Sequence, residues 1–509
     1  MPPTTKQPIL VWFRRDLRLN DNPAWSWATG AGRPVVPVFV LDEEEGERPL
    51  GGASRWWLHG SLEALDRTLG GQGSRLILRR GTTAPTIAAL TRETGASAVV
   101  WNRLYEPAIT QRDAEIEERC AEAGTETRTF QASLLFEPED IRSGTGRPYR
   151  VFTPFWRKCV AHGFARPVAA APPPEAPAAW PRSDDLEGWE FRCHEPDWAA
   201  GFRDIWQPGE EGAQRRLRAF LSGAAEHYDQ DRDRPGIEAT SRLSPHLHFG
   251  EIGPRQVAAA AAALPRRPCE AFLRELGWRE FSYHLLFHNP EMGTRNLRPS
   301  FDRMPWRDTP ADLRRWQRGQ TGYPIVDAGM RELWTTGWMH NRVRMLVASF
   351  LTKHLLIDWR RGADWFWDTL VDADWANNSC GWQWTAGSGA DAAPYFRVFN
   401  PVTQSRRFDE ACAYLRKWLP ELRRLPDRAI HAPWLAPQAV LDRSGVRLGE
   451  TYPLPMVDHG SARQRALDAW RTQVRGQPRP GPPDAATATA VSSSSAAAAK
   501  ERRPPSRSE

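Results

Sequence analysis

Two neighbouring stretches decide the fold of this chain: TGYPIVDAGMRELWTTGWMHNRVRM (321–345) and DWRRGADWFWDTLVDADWANNSCGWQW (358–384). Ten of the 25 tryptophans lie between Trp306 and Trp384, within or beside these stretches. Tryptophan is large, amphipathic and oxidisable, so this density points beyond ordinary core filling. It indicates helix packing, stacking on nucleic-acid bases, or electron transfer to a bound cofactor, and the neighbouring residues help to choose among the three.

The stretch 331–351 has helical periodicity and is predicted to form one helix. Its stripe at spacings of three and four consists of Trp334, Trp338, Asn341 or Arg342, and Met345. Methionine and tryptophan alone would indicate core packing. Because buried amide and guanidinium groups need polar partners, we expect this helix to face a polar site.

Partners for those groups follow at Asp372 and Asp374. The two carboxylates can accept charge-assisted hydrogen bonds from Arg344 or from a ligand. Paired carboxylates also suggest general acid–base hydrolysis or a Mg²⁺ site. Both rank lower, because no third carboxylate follows at metal spacing and no nucleophile motif accompanies the pair.

A second helical stretch, 269–290, carries polar residues on one face: Glu275, Trp278, Arg279 and Ser282. This pattern indicates either a surface ion pair or a polar pocket with an aromatic floor. In the same stretch His284 and His288 are four residues apart, but no carboxylate or cysteine completes a ligand set, so no metal site is predicted.

The segment TSRLSPHLHFGEI (240–252) offers hydroxyl groups and Arg242 just before a predicted helix. Ser244 is expected to cap that helix, with Pro245 at its first position. Hydroxyls, a guanidinium and free backbone N–H groups together suit a phosphate or pyrophosphate. Ser-Pro caps are common, so a purely structural role is an equal alternative.

The first 130 residues alternate short apolar runs with longer amphipathic ones. We predict strands at 9–13, 35–41, 75–79 and 98–101, with helices between them. Strict alternation predicts a parallel, doubly wound sheet of Rossmann type. No GxGxxG follows the first strand, so a standard dinucleotide site is not expected there.

The domain prediction is an α/β domain at 6–135, a connector at 136–206, an all-helical domain at 207–473 and a disordered tail at 474–509. The proline-rich stretch from about 160 to 205 is expected to lack regular structure. The tail is rich in Pro, Ser and Ala and buries too little apolar surface to fold.

Composition places the chain among globular proteins, with 40% hydrophobic and 26% charged residues. Six scattered cysteines without a CxxC pair argue against a disulfide framework. No long apolar run or leader pattern is present, so we expect a cytoplasmic protein that does not span a membrane. The net charge of +6 permits a polyanionic partner without requiring one.

Four motifs stand in one order and spacing: 240–252, ELGWREF (275–281), 321–345 and 372–384. They strongly resemble the FAD-binding domain of the photolyase and cryptochrome family. VWFRRDLRLNDNP (11–23) resembles the N-terminal signature of that family, and the resemblance covers roughly residues 8–470. It implies an antenna-binding α/β domain followed by a helical FAD-binding domain.

The resemblance implies FAD as cofactor, in a U-shaped conformation held at its ends by Asp372 and Asp374. Asn378 would face flavin N5, where plant cryptochromes carry Asp, and an amide favours a steadily reduced flavin. The implied cofactor-binding residues are Tyr228, Thr240, Ser241, Arg242, Leu243, Ser244, Phe272, Glu275, Arg279, Trp338, Asn341, Arg344, Asp372, Ala373, Asp374 and Asn378.

The resemblance also implies an electron-transfer chain from the flavin to the surface through Trp382, Trp359 and Trp306. Its implied catalytic residues are Glu275, Asn378, Asn341 and Met345. The residues implied to contact DNA or a flipped cyclobutane pyrimidine dimer are Glu275, Trp278, Arg279, Asn341, Arg342, Met345, Trp384, Arg397 and Gln404, with Trp278 and Trp384 as an aromatic wedge. The (6-4) photolyases carry His at positions 341 and 345, which disfavours that subfamily.

The implied activity is blue-light-driven repair of cyclobutane pyrimidine dimers in UV-damaged DNA, by electron transfer from excited FADH⁻ in a monomeric protein. The alternative is a cryptochrome-like receptor that signals through protein partners. Glu106 in LYEP (104–107) resembles an acidic antenna position, which leaves a folate (MTHF) antenna, a deazaflavin antenna or none. Trp375 replaces the Leu usual in the family, and the sequence offers no account of it.

Overall fold

The computed structural model describes residues 6–44, 46, 48–192, 195–392 and 396–476. An α/β domain comes first in the chain, and the part that follows it is helical. This arrangement confirms the predicted fold class. The predicted tail lies outside the described residues from 477 onward.

A five-stranded parallel sheet forms the centre of the first domain. Its strands are β1 (Ile9–Phe13), β2 (Val35–Leu41), β3 (Ile77–Arg80), β4 (Ala98–Asn102) and β5 (Glu126–Phe130), in the spatial order β3-β2-β1-β4-β5. Alternate residues of β1 enter two separate cores. The sheet is therefore covered by helices on both faces, as strands with continuous apolar runs require.

Strand β5 was not predicted. Its sequence, ETRTF, lies at the edge of the sheet, and no residue of it is fully buried. An edge strand packs on one side only and needs no continuous apolar run. Hydrophobic periodicity therefore gave no indication of it.

In the part of the chain that the structure describes, ten α-helices precede residue 262, and the first four of them alternate with the strands of the sheet. They are α1 (Pro23–Gly30), α2 (Gly52–Gly70), α3 (Thr83–Thr94), α4 (Pro107–Glu122), α5 (Phe152–His162), α6 (Ala200–Arg203), α7 (Glu210–Leu221), α8 (Tyr228–Asp231), α9 (Ser244–His248) and α10 (Pro254–Ala261).

The remaining helices build the second half. They are α11 (Arg266–His288), α12 (Pro310–Gln317), α13 (Pro324–Thr336), α14 (Asn341–Ser349), α15 (Trp359–Thr369), α16 (Trp375–Ala386), α17 (Pro401–Phe408), α18 (Ala413–Trp418), α19 (Asp427–Ile430), α20 (Gln438–Ser444) and α21 (His459–Ala469). Short 3₁₀ segments lie at Glu187–Trp189, Ala224–His227, Pro290–Gly293, Pro299–Arg303, Pro420–Leu422 and Pro433–Leu435, and π-helical turns at Phe350–His354 and Trp470–Val474.

The prediction of one helix over 331–351 is wrong. Helix α13 ends at Gly337, which has a left-handed φ of 66°, and α14 begins after His340, whose side chain accepts a hydrogen bond from Arg342 N. A glycine in this conformation terminates helices. The side-chain stripe of the sequence therefore comes from two helices and the turn between them.

The prediction that 160–205 lacks regular structure is wrong at α6 and at Glu187–Trp189. This stretch also inserts aromatic side chains into the core of the α/β domain, including Trp189, Phe191 and Phe202. Burying those rings offsets the cost of ordering a proline-rich chain. The domain boundaries themselves stay predictions.

The loop after β1 joins the two halves of the molecule. Arg18 is buried and donates to Gly250 O at 2.9 Å, and Leu17 N donates to Phe249 O at 3.1 Å. A Cβ on Gly250 would lie 2.1 Å from Arg15 O, and its φ is +66°. Only glycine permits so close a backbone approach.

A buried carboxylate strengthens the same junction. Glu251 accepts hydrogen bonds from Trp57 Nε1 and Ser61 Oγ of α2, from Gly209 N, and contacts His246. An isolated buried carboxylate would be costly, so this set of donors fixes Glu251 and α2 relative to each other. Among the described residues, no helix combines the length and apolar composition needed to cross a membrane.

Candidate functional site

The helical half contains an open cavity with about 1040 Å³ of empty space, here called the helical cavity. It brings together residues from α8, α9, α11, α14 and α16 that are far apart in sequence. The predicted site residues that line it are Tyr228, Ser241, Leu243, Ser244, Phe272, Glu275, Trp278, Arg279, Trp338, Asn341, Arg344, Asp372 and Asp374. Leu247, His248, Leu276, Met339 and Asn377 also line it and were not predicted.

The predicted pairing of Arg344 with Asp372 is present. Arg344 Nη1 and Nη2 donate to the two carboxylate oxygens of Asp372 at 3.1 and 2.9 Å, and Nε donates to Met339 O at 2.7 Å. Bidentate pairs of this kind are strong and fix geometry. Asp372 is buried whereas Arg344 is half-buried, so the guanidinium faces the cavity with its position set.

Asp374 caps the first turn of α16. Its Oδ1 accepts from Asn377 N at 2.8 Å, and its Oδ2 contacts Tyr283 Oη and His248 Nδ1. Burial alone would raise the pKa of Asp374, but the hydrogen bond from His248 and nearby positive charge hold it below its ordinary value. The group is therefore a carboxylate at neutral pH, ready to accept further donors.

The prediction that Ser244 caps α9 is wrong. Helix α9 begins at Ser244 itself, after Leu243, and no side chain caps it. Ser244 Oγ instead accepts from Trp338 Nε1 at 3.3 Å, and the Arg242 guanidinium lies 4.9 Å from the Trp338 ring centroid. Ser241 and Ser244 still line the cavity, but α9 is too short to offer a developed N-terminus.

Glu275 has a partner that sequence reasoning missed. Arg232, just after α8, donates to Glu275 Oε1 and lies 5.4 Å from the Tyr228 ring. Its position in QDRDRPG (230–236) carried no motif that marked it. Glu275 therefore forms an ion pair at the cavity wall, in which one carboxylate oxygen accepts a hydrogen bond from Arg232.

The two tryptophans of the expected wedge line different cavities. Trp278 lines the helical cavity and stacks on Phe152 with ring centroids 3.7 Å apart and planes 8° from parallel. Trp384 and Arg397 line another cavity, with Lys353 and Phe396. Phe152 comes from α5, inside the predicted connector, and no pattern in the sequence indicated this contact.

Other predicted substrate contacts lie on the helices beside the helical cavity. Arg342 pairs with Asp233 at 2.6 Å, packs on the Phe408 ring at 4.5 Å and reaches Met345 Sδ at 3.9 Å. Gln404 lies half-buried on α17. None of these residues is in the cavity wall that the structure describes.

Asn378, the residue expected to face the flavin, does not line the helical cavity. Asn378 Nδ2 donates to Ala363 O at 3.0 Å, and the neighbouring Asn377 lines the cavity. Thr240, Arg242 and Ala373 lie next to lining residues without being part of the wall.

The three tryptophans of the implied electron-transfer chain share one apolar core. Trp382 and Trp359 are buried in it, and half-buried Trp306 packs against it. Trp382 contacts Phe366 and Trp316 with ring centroids 5.0 and 6.2 Å apart. Trp382 Nε1 has no hydrogen-bond partner among the described residues, and Trp359 Nε1 donates to Asn296 Oδ1 at 3.0 Å.

A separate cavity with about 950 Å³ of empty space, the interdomain cavity, lies at the carboxyl ends of β1 and β2. Glu106 lines it, buried and paired with Arg15. Trp375 and Trp367 form part of the wall, and the Arg48 guanidinium lies 5.0 and 5.7 Å from their ring centroids. The extra bulk at 375 therefore faces this cavity.

Both cavities are lined by His248. Its Nδ1 lies 3.3 Å from Asp374 Oδ2, and its Nε2 is buried without a hydrogen-bond partner among the described residues.

Comparison with known proteins places these features in a family. A family model described as "DNA photolyase" matches residues 9–178, and one described as "FAD binding domain of DNA photolyase" matches residues 272–472. A deoxyribodipyrimidine photo-lyase of Agrobacterium fabrum is 51% identical over 91% of this chain and 97% of the relative. Cryptochrome-1 of Arabidopsis thaliana is 38% identical over 90% of this chain and 70% of the relative. The crystal structure of a bacterial class III photolyase from Agrobacterium tumefaciens aligns with a TM-score of 0.89 and 49% identity, covering 93% of this chain and 98% of that one.

Proposed function

The chain belongs to the DNA photolyase family, and on that premise we propose that it repairs cyclobutane pyrimidine dimers in DNA with blue light. The observation that carries the proposal is the helical cavity, which joins the expected cofactor residues Arg344, Asp372 and Asp374 to the expected substrate residues Glu275 and Trp278 in one wall.

The residues of the cavity fit FAD. Its empty space of about 1040 Å³ includes the open mouth, and both apolar and polar side chains line it, as in ligand sites. Arg344 offers a fixed guanidinium, Asp374 offers acceptor oxygens, and Ser241 and Ser244 offer hydroxyls. Reduced FAD, when bound, supplies the photoexcited electron for dimer splitting and takes it back afterwards.

The protein's own groups would position the substrate. Glu275, oriented by Arg232, would hydrogen-bond the flipped dimer, and Trp278, braced by Phe152, would stack beside it. Each such base–aromatic contact contributes about 1–3 kcal/mol. A dimer is poorly stacked and paired, which keeps the cost of flipping it to a few kcal/mol.

The test is repair by the reduced, FAD-loaded full chain. A dimer-containing oligonucleotide should regain thymine absorbance under blue light, and a (6-4) photoproduct oligonucleotide should not. Glu275→Gln should lower the quantum yield several-fold, because the neutral amide loses the charged pair with Arg232 that orients Glu275 toward the dimer. Glu270→Gln, on the same helix but exposed and paired with Arg266, is the control. Absence of repair in a fully reduced sample would favour the receptor function instead.

The interdomain cavity is proposed to hold an antenna chromophore, a folate or a deazaflavin. Its support is a largely apolar wall that includes Trp367 and Trp375 and contains the Arg15–Glu106 pair. Planar conjugated rings stack well on such indoles. Reconstitution with each chromophore should add an absorption band in the wild type, and Trp375→Leu should weaken binding. A wild type that binds neither would refute the proposal.

A further inference from the structure

Three potential ligand side chains converge where α2 meets the 3₁₀ segment Glu187–Trp189. His59 and Glu63 lie one turn apart on α2, and Glu187 comes from the connector. His59 Nε2 lies 3.4 Å from Glu187 Oε1 and 3.7 Å from Glu63 Oε1, and the three ligand atoms all lie within 4.8 Å of one another. None of these residues lines the helical or the interdomain cavity.

His59 is buried without a hydrogen-bond partner. Its exposed fraction is 1%, and neither ring nitrogen has such a partner among the described residues. Buried polar groups normally have one, and each exception calls for a physical reason.

The donor spacing fits a small divalent ion. Ligand atoms around a tetrahedral Zn²⁺, each at about 2.0–2.1 Å, are about 3.3–3.4 Å apart. The two distances from His59 Nε2, 3.4 and 3.7 Å, are close to that value. One imidazole and two carboxylates form a set that zinc accepts.

Arg192 lies beside the cluster without occupying the donor atoms. It contacts Glu63 through Oε2 at 3.1 Å, which leaves Oε1 directed toward His59. A charged hydrogen-bond partner on the second oxygen orients a carboxylate that binds metal through the first. Two carboxylates and one guanidinium leave one negative charge around the imidazole, which favours a cation.

We propose that His59, Glu63 and Glu187 bind one zinc-class divalent metal ion, which fastens the connector to helix α2. Sequence analysis predicted no metal site. Glu187 lies far along the chain from His59 and Glu63, so no local spacing marked the three residues as a set. A water molecule would complete four-coordination, since Glu187 is 70% exposed. Because none of the three residues lines either cavity, the role of the ion would be structural.

The test is calorimetric titration of chelator-treated, FAD-loaded full chain with Zn²⁺ alone. We expect one ion per chain, a higher melting temperature with Zn²⁺, and slower tryptic cleavage at exposed Arg182. Glu187→Gln and His59→Gln should each weaken binding at least tenfold and abolish both protective effects. Glu187 is exposed, so its variant should fold even if His59→Gln does not.

Glu115→Gln is the matched control, because Glu115 is also a half-exposed carboxylate paired with an arginine, Arg119. His227→Gln, at an exposed histidine outside the cluster, controls for surface binding. Wild-type affinity in Glu187→Gln, or no Zn²⁺ binding by the wild type, would overturn the proposal.

Discussion

At the residue scale, we expect FAD binding to depend strongly on the Arg344–Asp372 pair. Asp372→Asn removes one charge and one acceptor from a bidentate pair whose carboxylate is buried. We expect FAD affinity to fall about 10- to 100-fold, since a charged hydrogen bond contributes about 1.5–3 kcal/mol. The ratio of flavin to protein absorbance after dialysis measures it. Glu211→Gln, which removes an exposed pair with Arg215, should retain FAD fully.

A second residue-scale prediction concerns Trp382. Trp382→Phe keeps an aromatic ring beside Phe366 but removes the readily oxidised indole. Light-driven reduction of oxidised flavin should fall at least tenfold, while repair by enzyme reduced chemically beforehand should persist. Trp334→Phe, at a 56% exposed position stacked on Trp365, should leave both unchanged. Equal loss of both activities in Trp382→Phe would contradict an electron-transfer role.

At the element scale, α15 and α16 pack through a glycine. A Cβ on Gly362 would lie 2.1 Å from Trp382 Cη2. Gly362→Ala should therefore cost about 1–3 kcal/mol of stability through overpacking and displace the Trp382 ring. Gly381→Ala, on α16, has open space around its Cβ and should be neutral or stabilising by up to about 1 kcal/mol. Thermal melting and flavin photoreduction measure both variants, and equal melting temperatures would contradict the packing argument.

The helices and strands differ in how well they could be predicted from the sequence. Long periodic segments such as α11 and continuous apolar strands such as β2 were recognised, because burial imposes their patterns directly. The break at Gly337 and the edge strand β5 were not, since one depends on a single backbone angle and the other on pairing alone.

The contacts of the candidate site likewise include some that the sequence predicted and some that it did not. The Arg344–Asp372 pair was expected from complementary charge and from the family motifs. Partners supplied by other elements, such as Arg232 at Glu275 and Phe152 at Trp278, depend on how the helices pack and leave no local pattern.

At the scale of the whole molecule, we expect buried histidines to lower the free energy of unfolding as the pH falls. Burial lowers the pKa of His284, His340 and His431 to about 4 and that of His354 to about 3. Unfolded histidine titrates near 6.5, so the unfolded chain binds more protons below that pH. Stability is then fully present above pH 6.5 and is lost as pH falls toward 4.

Each histidine contributes up to about 1.4 kcal/mol per pH unit in this window. Glu280 opposes them, because burial raises its pKa to about 7 and so favours the folded state at low pH. Denaturant midpoints at pH 5, 6 and 7 measure the net slope. His340→Asn keeps a hydrogen-bond acceptor at the α14 cap. It should reduce the slope of stability against pH by the equivalent of about one bound proton. An unchanged slope would contradict the prediction.

The docking of the first loop onto the helical half also constrains synthesis of the chain. Arg18 and its acceptor, the carbonyl of Gly250, are separated by 232 residues. At 5–20 residues per second, the ribosome needs about 10 to 50 s to add that length. During this interval the nascent sheet exposes a loop that still lacks two of its hydrogen-bond acceptors, the carbonyls of Phe249 and Gly250. We therefore expect the amino-terminal domain to depend on chaperones until residue 250 has emerged.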